Sequence, residues 1–188
     1  MADYTGGHFI PMQGGYRKLK AFQLATCIYD VTYYFANKYF DKKDRTVDQM
    51  IQAARSGKQN IAEGSAASTT SSETEIKLTN VAKASLQELL LDYEDYIRVN
   101  GLEQWAATDS RTVKTRLVCR SHSDSKYYMD AVKVRSAETV ANIAIVLIHQ
   151  TDYLLERLIE RQKQNFLKNG GIREQMTRAR LEERNKRR

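Results

Sequence analysis

Apolar positions recur along this chain every three or four residues, the rhythm of helices that each bury one stripe. From about Tyr16 to Phe40 the stripe is Phe22, Ala25, Tyr29, Thr32, Tyr33, Ala36 and Phe40, and the polar run DKKD ends it. A second helix is expected to start at Thr46, because Thr46 and Gln49 have capping-box spacing, and Val47, Met50, Ile51, Ala54 and Ile61 form its stripe. A small, polar break from Ser65 to Ser72 folds the chain back. Ser72 and Glu75 repeat the capping-box spacing, and Glu73 and Glu75 suit the positive end of a helix dipole. Ile76, Thr79, Ala82, Leu86, Leu89, Leu90, Tyr93 and Ile97 supply the buried side of this third helix, and Asn100-Gly101 closes it.

Leu102 to Tyr128, with Trp105 and the run VKTRLVCR, reads as either a short helix or an irregular excursion. A fourth long helix is expected from about Asp130 to Lys168 on Val134, Ala137, Val140, Ala141, Ala144, Ile145, Ile148, Leu155, Leu158 and Ile159. Asn169-Gly170-Gly171 ends it, and a short fifth helix follows over about Ile172 to Asn185. The fold class is therefore all-α: an up-and-down four-helix bundle over 16–168, with a longer connection at about 102–128 and a basic C-terminal tail over 169–188. Residues 1–15, rich in glycine and without helical period, read as a flexible lead-in.

Composition agrees with that reading. The one proline is Pro11, so no proline downstream interrupts a helix. A chain of 188 residues is long enough for one domain that buries roughly 70% of its unfolded surface. Its longest apolar run, Ile143 to Ile148, falls well short of the roughly 20 residues of a membrane span. With no secretory leader pattern at the start, the expected location is the cytoplasm. Cys27 and Cys119 are too few for a disulfide framework and read as reduced thiols.

Charge is distributed unevenly. Arg161 to Arg188 hold ten Lys or Arg and three Asp or Glu, so the entire net charge of +7 sits in the last 28 residues. On a 100° wheel Arg173, Arg180, Arg184 and Arg187 share one face of the fifth helix, while Ile172, Met176 and Ala179 share a narrow apolar strip. The chain is a neutral body with a basic arm.

Arg55, then Asn60-Ile61-Ala62-Glu63-Gly64, then a polar break and a helix carrying Ala84-Ser85-Leu86-Gln87-Glu88-Leu89, resembles the four-helix-bundle proteins encoded in intervening sequences of bacterial 23S rRNA genes. That family includes the accessory variability determinant of diversity-generating retroelements. The resemblance covers about Lys18 to Glu160 and is most specific at Asn60–Gly64 and Leu86–Leu89. The long 102–128 segment departs from the usual short connection. The GGIREQMTRARLEERNKRR tail lies beyond the family unit and resembles a suffix found on longer members. The resemblance implies a homo-oligomer, a pentamer in relatives of known architecture, and a partnership with nucleic acid and with a reverse transcriptase in the retroelement member.

Each polar cluster has a structural and a functional reading. Arg55, Gln59, Asn60 and Glu63, with Gly64 letting the chain turn and Glu88 opposite, form either a carboxylate-centred contact site or hydrogen bonds that set bundle register. Glu-x-x-His is absent, which removes a ferritin-like di-metal site. Cys119-x-x-His122 with Asp124 is half a zinc site and reads better as a loop thiol and a surface histidine. His149, with Asp152 at i+3, reads as an interior or interface histidine rather than a base, and His8 lies in the lead-in. Tyr29, Tyr33, Tyr34 and Tyr39 either stack nucleobases or, as is commoner at helical spacing, form core and subunit interface. No phosphate loop or dinucleotide fingerprint is present. The expectation is thus no catalytic residue, no metal and no cofactor.

The expected function is non-enzymatic binding of nucleic acid, RNA over DNA, by phosphate contacts from Arg173, Arg178, Arg180, Arg184, Lys186, Arg187 and Arg188. The rival is an adaptor for a partner enzyme such as a reverse transcriptase or nuclease, docked through Ile172 and Met176. A small-molecule or metal-dependent enzyme is the third and weakest class.

Overall fold

A computed structural model describes residues 15–187. A 3₁₀ turn at Tyr16–Lys18 leads into α1 (Lys20–Tyr39), followed by α2 (Arg45–Ala67), α3 (Ser72–Val99), α4 (Ser110–Ser121), α5 (Ser125–Val132), α6 (Ala137–Asn169) and α7 (Ile172–Lys186). The four long helices close on themselves, with α2 against α1 and α3, and α6 against α1 and α3. This is the all-α bundle that the periodicity implied. Leu24, Ile28, Phe35, Met50, Leu86, Leu89, Leu147 and Leu155 meet in its centre. Tyr93 is fully buried among them, and its hydroxyl donates to Thr32 Oγ1 at 3.0 Å, which satisfies both polar atoms inside the core.

The starts of α2 and α3 lie within one or two residues of where the spacing had them. Asp44, not Thr46, caps α2: its Oδ1 accepts the Thr46 N–H at 2.8 Å. A carboxylate at the positive end of a helix does the same work as a capping hydroxyl and adds charge. Ser71, not Ser72, caps α3 by accepting the Thr74 N–H at 3.1 Å. The polar break is also shorter than expected, since α2 runs through Ser65 and Ala66 to Ala67. Gly64 therefore does not turn the chain. It lies buried within α2, where a Cβ would come 3.3 Å from the Glu75 carbonyl of α3. In α1 the buried stripe is centred on Leu24, Ile28, Val31 and Phe35, and Tyr33 is 54% exposed.

The expected helix from Asp130 to Lys168 is divided. α5 ends at Val132, and α6 restarts behind Ser136, whose Oγ accepts the Thr139 N–H. Val134 lies in the intervening turn, 82% exposed. The hydroxyls of Tyr34 and Tyr39 donate to the carbonyls of Lys133 and Arg135 there, at 3.4 and 3.1 Å, and so replace helical partners. The 102–128 segment contains α4 and the start of α5. α4 lies against α6 and α5 against α1, where Ser125 donates to the Asp30 carboxylate. α4 is why eight successive α6 residues, 141–148, are all buried. Within that run Asn142 accepts the Trp105 N–H at 2.7 Å and donates to the Glu103 carbonyl at 2.8 Å, pinning the excursion to α6.

α2 and α3 approach closely at Gly57, where a Cβ would sit 2.7 Å from Leu86 Cδ2 and 2.8 Å from its Cγ. Gly57→Ala gains roughly 0.5–1 kcal/mol of helix propensity but overpacks a fully buried leucine at about 1–3 kcal/mol. The expected net outcome is a loss of about 1–2 kcal/mol, read as a lower urea midpoint with unchanged slope. An unchanged or raised midpoint would show that Leu86 yields freely.

A candidate nucleic-acid interface

The arm is built from the end of α6 onward. Gly170 ends α6 with φ 73°, and a Cβ there would meet Glu174 Oε2 at 2.1 Å, so this corner needs glycine. Glu174 Oε2 in turn accepts the Gly171 N–H at 2.9 Å and starts α7. α7 contains no buried residue and makes only isolated contacts with the other helices.

Its charges are mostly uncompensated. Arg187 pairs with Glu183 at 3.1 Å, and Arg178 Nη2 donates to the Asn169 carbonyl at 3.4 Å. Arg173, Arg180, Arg184 and Lys186 are exposed and have no side-chain partner among the described residues. Arg188 lies outside the described residues, as does His8. Helical spacing keeps Arg173, Arg180, Arg184 and Arg187 on one side of α7 and turns Arg178 away from them, toward the end of the bundle. The interleaved glutamates therefore neutralise little of the arginine face.

The Arg55–Gly64 motif does not converge within the chain. Asn60 Nδ2 donates to the Ser56 carbonyl at 2.9 Å, and Ser56 Oγ meets Ser85 Oγ of α3 at 2.9 Å, a hydrogen bond that fixes helix register. Arg55, Glu63 and Glu88 face solvent without side-chain partners among the described residues. The tyrosines line an open surface of α1. Lys58 Nζ lies 4.0 Å from the Tyr29 ring centroid, and Lys38 lies over Tyr34 and Tyr39 at 5.0 and 5.2 Å.

Two expectations about titratable groups are corrected. His149 is exposed, which removes the interior reading but not the interface one, and Asp152 partners α3 instead of it: Asp152 Oδ1 accepts from Gln87 Nε2 at 3.0 Å. Cys119 is not a loop thiol but a buried residue of α4, while His122 is exposed and stacks on Tyr127 at 4.1 Å. Asp124 is engaged as the cap of α5. No group of three potential metal ligands occurs among the described residues. Sequence reasoning passed over Gln162, the one polar residue that continues the Leu155–Ile159 stripe of α6 and is itself buried. A glutamine at a stripe position was the available signal.

In fold and site this is an all-α bundle bearing a cationic helix with no fully buried residue. Residues 18–108 match the model of the 23S rRNA-intervening sequence protein family. The match spans α1 to α3 and the chain leading to α4, just under half of the protein, and includes Asn60–Gly64 and Leu86–Leu89. α4 to α7, the arm among them, lie outside it. No curated protein and no solved structure matches the chain. No helix among the described residues is long and apolar enough to cross a membrane.

Burial and the nearby Asp30 and Asp124 carboxylates push the Cys27 thiol up to about 12, and burial raises that of Cys119. Because the thiolate is the nucleophile, both cysteines are expected to resist iodoacetamide at pH 8 in the folded protein and to react fully in denaturant. Mass spectrometry of intact protein reads this directly, and rapid labelling of the native protein would contradict the packing of α4 on α6 and of α5 on α1.

Proposed function

We propose that this protein is a non-enzymatic, oligomeric helical bundle that binds nucleic acid, RNA in preference to DNA, through phosphate contacts from its C-terminal arm. The observation that carries the reading is the arginine face of α7, where Arg173, Arg180 and Arg184 have no side-chain partner among the described residues, set on a helix with no fully buried residue. An arginine without an internal carboxylate keeps its full capacity for charge-assisted, bidentate contact with phosphate. Counterion release from the polyanion then supplies the driving force. The family match supports RNA as the partner, since that family is named for a ribosomal RNA intervening sequence. Self-association is supported by α3, which exposes Val81 and Leu91 on the side that carries Glu88, beside the free Arg55 and Glu63 of α2. A ring of five copies would gather five arms and multiply weak contacts.

One observation favours a second reading, that of an adaptor for a partner enzyme. Met176 and Leu181 of α7 are 52% and 41% exposed, which gives the arm apolar as well as basic surface.

Charge reversal of Arg180 and Arg184 to Glu is expected to weaken RNA binding at least about tenfold at low salt. It should also flatten the salt dependence, by about 0.7 in log–log slope for each single-strand phosphate that is no longer neutralised. Fluorescence anisotropy with RNA and duplex DNA across a salt series reads both effects, and a truncation after Asn169 serves as the limiting case. Affinity that ignores both changes would overturn the reading in favour of the adaptor.

A further inference from the structure

The body of the chain is neutral only on average. Residues 110–135 hold seven Lys or Arg and two Asp, a net of +5, so the remainder of 1–160 carries −5. This basic stretch is the α4–α5 excursion with the turn that follows it, and it lies beyond the family match at 18–108. α4 lies on α6 and α5 on α1, so the excursion covers the α1–α6 side of the bundle. The opposite side is formed by α2 and α3, and α3 holds six acidic residues against three basic ones. A polyanion is therefore drawn to one side of the body and repelled from the other.

On the basic side a groove of about 310 Å³ opens between α4, α5 and the start of α6. Two of its cations are available. Lys114 is exposed and has no side-chain partner among the described residues. Arg135 is exposed and engages only Nη1, which donates to the Ala131 carbonyl of α5. Arg111, the third, is committed: it pairs with Asp109 and Glu103 at 2.7 and 2.8 Å and lies over the Trp105 ring at 4.9 Å. No carboxylate among the described residues lines the groove, so nothing in the lining competes with an incoming anion for Lys114 and Arg135.

Much of the remaining lining is aromatic or apolar, with Trp105, Tyr127 and the nearly buried Ile143. Tyr127 is 39% exposed and is held by His122, stacked at 4.1 Å with the ring planes 21° apart. His122 is exposed as well, so a third flat ring can extend the stack. Aromatic surface beside unpaired cations is how single strands are held, the base stacking while its phosphate is neutralised. The volume lies at the lower end of ordinary ligand sites, about 300–1,000 Å³. It suits one nucleotide and not a duplex.

We infer that this groove holds one nucleotide of a single-stranded nucleic acid. The base extends the Tyr127–His122 stack, and the phosphate lies between Lys114 and Arg135. The inference rests on the nucleic-acid reading and deepens it by naming the strand state: the arm's arginines contact phosphate in any strand, whereas a stack needs an unpaired base.

The test follows the fluorescence of Trp105, the sole tryptophan of the chain, while full-length protein is titrated with a ten-nucleotide oligoadenylate RNA labelled for anisotropy. The same strand paired with oligouridylate is the second probe. The single strand is expected to change Trp105 emission along the anisotropy curve, and the duplex to bind without doing so. Lys114→Glu, at an exposed position, should weaken single-strand binding at low salt by about tenfold. Tyr127→Leu should weaken it at least about fivefold and leave duplex binding unchanged, since one base stack is lost. Circular dichroism checks that both variants stay folded. Trp105 emission that ignores a saturating single strand, an equal response to duplex, or both variants binding as the parent does overturns the inference. Anisotropy without a Trp105 response would remove the groove and leave the arm. A Trp105 response that keeps its full affinity after charge reversal of Arg180 and Arg184 would remove the arm and leave the groove.

Discussion

The structure depends on how closely α2 can approach α3. Gly57 and Gly64 are two turns apart on the same face of α2, and each leaves out the side chain that would hold α3 away. Leu86 fills the space over Gly57, and the Thr79 hydroxyl lies beside Gly64. Beside Gly57, Ser56 and Ser85 share a hydrogen bond that stops one helix from sliding along the other. Small residues allow the approach, and the serine pair fixes its register. From that register follow the position of Thr79 and Glu75 against α6 and hence the orientation of Gln162. The α2–α3 contact and the polar chemistry at the end of the bundle are parts of one arrangement.

α6 shows a second constraint. A helix in a four-helix bundle ordinarily keeps one side in water, yet residues 141–148 are buried all round because α4 covers the outer side. α4 itself buries little beyond Thr112 and Cys119 and exposes Val113 and Leu117. It is held less by its own stripe than by Asn142, which ties the preceding loop, and by the two short contacts that carry the chain back to α1. The period of VKTRLVCR was therefore a weak guide to its state. A helix positioned by hydrogen bonds to a neighbour leaves little trace in hydrophobic spacing.

The same distinction separates what was legible from what was not. The four long helices were readable because each buries a continuous stripe whose spacing is a local property of the chain. The division before α6 was not, since it rests on Tyr34 and Tyr39 reaching the carbonyls of Lys133 and Arg135 from a different helix. Both caps were misread by a residue or two because Asp44 and Ser71 have neighbours equally able to cap, and only backbone geometry decides between them. That the last helix, α7, is basic was legible, charge being additive along a sequence. The cleft where the α2–α3 turn meets the end of α6 and the start of α7 was not, because Ser71, Gln162 and Arg178 come from three segments that meet only after folding.

α7 closes the argument about the arm. A 15-residue helix with little tertiary packing is marginal in water, because propagation barely offsets nucleation over that length. The bond from Gly171 N–H to Glu174 and the Arg187–Glu183 pair favour the helix, while Arg180 and Arg184, one turn apart, repel each other. An anion bound along the arginine face removes that repulsion and so stabilises the helical form over the open one. Binding and helix formation are then linked, each favouring the other by the same free energy. Arg178 anchors the first turns at the bundle end through the Asn169 carbonyl, so this coupling starts from a fixed point rather than from a free tail.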